Sequence, residues 1–139
     1  MIAFLKQFTA PKPLPEHRDS LLGLLVSRNE GEWQGEIPFQ NYHVKILLPG
    51  ATYQPSSTRL ALARTLLPTL EAKVKLAVDY AASVNPDLWA GRLMLCAFNL
   101  FYQTTGDSFA LDFKATGDRS GKKWQVCFEG GLPVRLDYR

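Results

Sequence analysis

The chain has 139 residues, 46% of them hydrophobic and 21% charged, with a formal net charge of +3. That length suits one domain built on a single core, and that composition excludes a disordered chain. The basic residues are scattered, with Lys122-Lys123 the densest pair, so the continuous basic stripe of a nucleic-acid-binding face is missing.

Residues 1–19 read as a proline-rich lead-in. Pro11, Pro13 and Pro15 alternate with Lys12 and Leu14, which stiffens the backbone and removes donors that a sheet interior needs. Their spacing by two is not the Pro-x-x-Pro spacing of adaptor ligands. The expectation is a rigid strap anchored by Phe4, Leu5 and Phe8. The opening Met1-Ile2-Ala3-Phe4-Leu5-Lys6 lacks the ordered basic, apolar and small-residue regions of an export signal. No apolar run reaches the roughly 20 residues of a membrane helix. A cytoplasmic chain without membrane contact is expected.

A single α+β domain is predicted over residues 20–139. Leu21 to Ser27 is a short apolar strand, and Asn29-Glu30-Gly31 a turn. Trp33, Gly35, Ile37 and Phe39 then line one face of a second strand, with Glu32, Gln34 and Glu36 opposite. Gln40-Asn41 turns into a third strand, where Tyr42, Val44, Ile46 and Leu48 face inward and His43 and Lys45 outward. Residues 56–83 carry a helical stripe of Leu60, Ala63, Leu67, Leu70, Val74, Ala77 and Ala81, started by a Ser56 or Ser57 cap. Arg59, Arg64, Glu71, Lys73, Lys75 and Asp79 mostly lie off that stripe. Pro68 lacks an N–H, which predicts either a kink or two helices with Pro68 near the start of the second, and the unbroken stripe favours a kinked, nearly continuous helix.

Asn85-Pro86 closes the helical section, Asp87-Leu88-Trp89 is a turn, and Arg92 to Tyr102 is a long strand ending at the Thr104-Thr105-Gly106-Asp107 turn. The last thirty-odd residues alternate most cleanly. Phe109, Leu111 and Phe113, then Trp124, Val126 and Phe128, then Leu132, Val134, Leu136 and Tyr138 define one dry face. Ala110, Asp112, Lys123, Gln125, Pro133, Arg135 and Asp137 define a largely wet one. The predicted fold is an antiparallel sheet of about six to seven strands with the 56–83 helical section packed on one face.

Chemistry is sparse. His17, His43, Cys96 and Cys127 sit at no spacing used by zinc sites. No Gly-x-Ser-x-Gly elbow occurs, and both cysteines fall in strands, where they read as buried small hydrophobes of a reduced chain. A disulfide between them stays open should their strands be neighbours. Gly121-Lys122-Lys123 and Gly130-Gly131 are hairpin turns, not phosphate loops. Glu32 and Glu36 lie about 13 Å apart along one strand. Asp112 and Asp137 read as cross-strand charge partners of Lys114, Lys123 and Arg135. No catalytic residue, metal or cofactor is predicted.

The outward sheet face is the candidate partner surface, with Glu36, His43, Lys45, Lys123, Arg135 and Asp137 as binding residues beside Gln34 and Gln125. Long polar side chains of mixed sign suit a protein partner. One rival is a small enzyme or ligand carrier with a helix–sheet pocket lined by Tyr42, Trp89, Tyr102 and Trp124. RNA binding is disfavoured, because most aromatics point inward and leave no stacking platform. A homo-oligomer is compatible with the pattern.

The order Leu21-Leu22-Gly23, Trp33-Gln34-Gly35-Glu36-Ile37, Val44-Lys45-Ile46, the Leu60 to Ala81 stripe, Trp89 and the strands from Phe109 onward resembles a group of uncharacterised bacterial domains related to toxin-immunity proteins. The resemblance covers residues 20–139. Pro68 and the absence of an acidic, histidine-bearing last hairpin depart from it. It implies a small bacterial protein that binds another protein as an inhibitor, and it brings no catalytic residue with it.

Overall fold

Alternating apolar and polar side chains build one open sheet of eight strands, which lie side by side in sequence order. They are β1 (Glu16–Asp19), β2 (Gly23–Asn29), β3 (Glu32–Phe39), β4 (Tyr42–Pro49), β5 (Leu93–Asn99), β6 (Phe109–Ala115), β7 (Trp124–Glu129) and β8 (Leu132–Tyr138). The computed structural model describes residues 13–88 and 90–139. The expected anchors Phe4, Leu5 and Phe8, and the turn residue Trp89, lie outside the described residues.

Two features correct the expected antiparallel sheet of six to seven strands. Residues 16–19, read as lead-in, pair with β2 as an edge strand, and the Ser27 amide donates to the Pro15 carbonyl at 2.9 Å. The sheet is also mixed, because β4 and β5 run parallel, with Lys45, Ile46 and Leu47 opposite Ala97, Phe98 and Asn99. Alternation fixes faces but not directions. A helical crossover between β4 and β5 carries the chain back along the sheet, and parallel neighbours require such a return.

That crossover is α1 (Ser57–Leu66), a 3-10 turn at Leu67–Thr69 and α2 (Leu70–Val84). Ser56 is the cap, its hydroxyl accepting from the Arg59 amide at 3.4 Å. Pro68 sits in the 3-10 turn, so the regular α-helix is interrupted where its donor is missing. Leu60, Ala63, Leu70, Ala77 and Ala81 of the stripe are buried against the sheet. Arg59 is an exception to the polar face, since it too is buried.

The core fills from both partners. Trp33, Ile37, Val44, Ile46, Leu48, Leu95, Phe98, Phe109, Leu111, Phe113, Val126 and Phe128 are buried beneath the helices. Phe109 stacks on Phe128 at 4.6 Å between ring centroids and meets Phe98 edge-on at 5.8 Å, both favoured aromatic geometries. The Trp33 indole donates to the Ala51 carbonyl at 3.0 Å, so its polar atom is satisfied on burial. At the far end, Gly130 and Gly131 both have positive φ, as a two-residue hairpin turn requires. The Lys73 ammonium donates to the Gly131 carbonyl at 2.9 Å and ties this turn to α2.

The alternation of β8 is broken by a bulge between its pairings with Cys127 and Phe128. Pro133 rather than Val134 stands opposite buried Phe128, so the expected run of four inward residues fails before the bulge. Leu132 and Val134 are 62% and 46% exposed.

At Gly35, β2, β3 and β4 leave no room for a side chain. A Cβ there would lie 2.7 Å from Leu25 Cδ2, 2.8 Å from the Leu24 carbonyl oxygen and 3.2 Å from Ile46 Cγ2. A sheet carbonyl cannot yield as a side chain can. Gly35→Ala is expected to lower stability by about 1–3 kcal/mol, the usual cost of overpacking. Gly106→Ala, with nothing within 4 Å, is the control that leaves the urea midpoint unchanged.

Candidate binding face of the sheet

Pairing between strands sorts the outward residues into rows that cross the sheet. One row runs Glu36, Lys45, Ala97, Asp112, Gln125 and Asp137, and the next runs Gln34, Leu47, Asn99, Ala110, Cys127 and Arg135. Four of the six candidate residues therefore lie in two adjacent rows. Glu36 is directly opposite Lys45, and Arg135 pairs with Asp137 at 2.9 Å. His43 lies opposite Pro38 near the β3–β4 turn, and Lys123 exchanges backbone hydrogen bonds with Arg139 at the end of β7. From Glu36 to Asp137 the row crosses five strand spacings, about 24 Å. These residues form a surface and do not converge on a point.

The middle of this face is drier than alternation predicts. Ala97, Ala110, Cys127 and Asp112 are all buried although they face away from the helices. Longer neighbours close over them. The Gln125 and Asn99 amides donate to the two Asp112 carboxylate oxygens at 2.9 and 3.3 Å, and the Arg135 guanidinium reaches Cys127 Sγ at 3.6 Å. Asp112 is thus held by amides and not by the lysines or arginine expected as its partners. Asp137 does have cationic partners, Arg135 and Arg139, but both lie on its own side of the ladder. Beside them Tyr102 donates to Glu129 at 3.0 Å, and the Arg135 guanidinium lies 5.4 Å from the Tyr102 ring centroid.

Neither cysteine is activated. Burial pushes both thiols above their ordinary pKa, opposite to what a nucleophile needs. Both are free, on β5 and β7 with β6 between them. Two strand spacings, about 9.6 Å, exceed the reach of a disulfide. Among the described residues no three His, Cys, Asp or Glu side chains gather as a metal site, and no helix is long and apolar enough to cross a membrane.

Depressions lie on both sides of the sheet. A groove of about 550 Å³ lies on the open face between Leu24, Val26, Arg28, Gln34, Glu36 and Lys45. A more apolar cleft of about 810 Å³ lies along α2, between Val74, Val78, Pro68 and Leu93, with Lys75 and Asp79 paired at its rim. Three of the four aromatics expected to line a helix–sheet pocket do other work. Tyr42 packs edge-on against Phe39, Trp124 lies 4.3 Å from Tyr138 between centroids, and Tyr102 bonds to Glu129.

The strongest polar contacts join the crossover to the sheet, and the sequence pattern placed both arginines among the off-stripe residues. Asp19 accepts the Leu21 and Leu22 amides at 2.9 and 2.8 Å, closing the β1–β2 turn, and it pairs with Arg64 of α1. Buried Arg59 donates to the carbonyls of Ser108 and Thr105, and the Ser108 hydroxyl in turn accepts from the amides of Thr104 and Thr105. Aspartate two residues before a loop amide is the one sequence signal that would have marked Asp19. Compared with known proteins, the chain matches no family model, and neither a curated protein nor a solved structure matches it significantly.

The Arg64 bond, helped by the two amides, holds the Asp19 carboxyl down at about 2 from an ordinary 3.8. A depressed carboxylate stabilises the fold above its unfolded pKa, and that contribution fades as pH falls through the folded value. Asp19→Asn is therefore expected to cost about 2 kcal/mol at pH 7. The difference from the parent chain should shrink between about pH 4 and pH 2, read by urea unfolding at each pH.

Proposed function

We propose that this chain is a non-enzymatic protein-binding domain that uses the open polar face of its sheet. The supporting observation is the order of that face. Charged and amide side chains stand in cross-strand rows over a dry floor of Ala97, Ala110 and Cys127, with their hydrogen bonds already made. Such a surface offers area, held side chains and mixed sign, which suit a protein contact. The finer reading, drawn from the resemblance, is an immunity-type inhibitor of a bacterial effector.

A second reading rests on the cleft along α2. Its apolar wall of Val74, Val78, Pro68 and Leu93 is the helix-side space that a small apolar ligand would fill. A thermal-shift screen separates the two, because a ligand at 100 times its Kd raises stability by about 2.7 kcal/mol.

The partner reading is tested at Glu36 and Lys45, which oppose each other on the face and are both exposed. Glu36→Lys and Lys45→Glu each set like charges opposite one another and should lower stability by no more than about 1 kcal/mol. Each should abolish capture of the partner that the parent chain retains from host lysate. Full-strength capture by both folded variants places the partner surface elsewhere.

A further inference from the structure

The open side of β8 differs from that of β1. Strand β1 has four residues and leads with Glu16, whereas β8 has seven, and Val134 and Tyr138 on it are 46% and 40% exposed. Lys123 and Arg139 exchange both backbone hydrogen bonds, at 2.6 and 2.9 Å. An antiparallel ladder alternates, so the N–H and C=O groups of Leu136 and Tyr138 point away from β7, and no described strand pairs with them. An edge of this kind is a template for a further strand.

We propose that the β8 edge pairs with the β8 edge of a second copy of this chain, antiparallel about a two-fold axis at Leu136, joining two sheets into one. The occupant follows from charge. With Leu136 opposite Leu136 of the second copy, Arg135 stands opposite Asp137 of that copy, and Asp137 opposite its Arg135. Both pairs fall on the open face, and Val134 falls opposite Tyr138 on each side of the axis. Shifting the centre by one residue sets Arg135 against Arg135, or Asp137 against Asp137, and like charges directly opposite repel. The backbone permits this register, since outward-facing groups make the two copies of Leu136 a hydrogen-bonded pair; the charges are what select it. The contact is isologous and closes after two copies. The bulge confines pairing to residues 134–138, beyond the register shift. The inference goes beyond the partner-binding reading and stands without it, because Glu36 and Lys45 lie on strands far from this edge.

Sedimentation velocity of the full chain, in a concentration series up to about 1 mM, provides the test. The parent chain should move from monomer to twice its mass as concentration rises. Arg135→Asp places Asp against Asp137, and Asp137→Arg places Arg against Arg135, so each variant alone should stay monomeric with an unchanged circular dichroism spectrum. Mixing the two monomeric variants should restore a dimer holding one copy of each, because their charges then oppose correctly. The double variant with both changes should dimerise with itself, and it decides the matter should a single variant fail to fold. A parent chain that stays monomeric throughout overturns the proposal. So does a dimer that survives either single charge change, or a mixture that stays monomeric. Glu36→Lys should dimerise as the parent does, so loss of partner capture and loss of the dimer are read separately.

Discussion

Covering one face of the sheet with a single helical crossover is the constraint on which the other features depend. The apolar sides of β3 to β7 present aromatic and branched side chains that must leave water, and burial of each contributes about 1.5–3 kcal/mol. Among the described residues α1 and α2 cover them, and the apolar stripe continues on both sides of Pro68. Polar contacts then fix where it lies. Arg64 fastens α1 to the β1–β2 turn, Arg59 fastens it to the loop before β6, and Lys73 fastens α2 to the β7–β8 turn. These cations reach across the layer to groups on the sheet's connections, where burial of the apolar stripe alone would permit sliding.

Among the described residues no layer covers the opposite face, yet its centre is dry. Small side chains make this work. Ala97, Ala110 and Cys127 sit low on the pleat, and the side chains of Asn99, Gln125 and Arg135 rise on either side and fold across. Asp112 could not be buried there without partners, since an unpaired carboxylate would be costly to desolvate. Two amides supply its hydrogen bonds without placing a second buried charge beside it. The result is a face whose side chains are held in place before any partner arrives, which lowers the ordering cost of binding.

Periodicity made much of this legible. The inward sets on β3, β4, β6 and β7 and the stripe from Leu60 to Ala81 follow from spacing alone, because side-chain direction has a fixed period in each element. Pro68 announced the break in the α-helix through its missing donor. What stayed hidden depended on distant pairs. Strand β1 is four residues behind prolines, and only its ladder with β2 makes it a strand. The parallel β4–β5 pairing depends on where the crossover returns. Arg59 has a polar residue's place beside the stripe, and its carbonyl partners lie 46 and 49 positions away. Of the candidate site, the outward facing of Glu36, Lys45 and Arg135 was legible, but the neighbours of Asp112 were not, since amide partners on flanking strands leave no trace in local pattern.

An open sheet must also deal with its two ends, and here the ends are treated differently. At β1 the strand is short, Pro15 precedes it, and its outward residues Glu16 and Arg18 are charged, all of which discourage a further strand. At β8 the protection is partial. The bulge disrupts the ladder near Leu132 and Pro133, and Pro133 itself withholds a donor. Beyond it the strand is regular to Tyr138, with charges of opposite sign two residues apart on one face. Such a pattern repels a neutral or like-charged strand poorly, yet it distinguishes between registers, since moving the centre by one residue sets Arg135 against Arg135 or Asp137 against Asp137. Selectivity of this sort comes from the spacing of Arg135 and Asp137, not from the apolar residues between them.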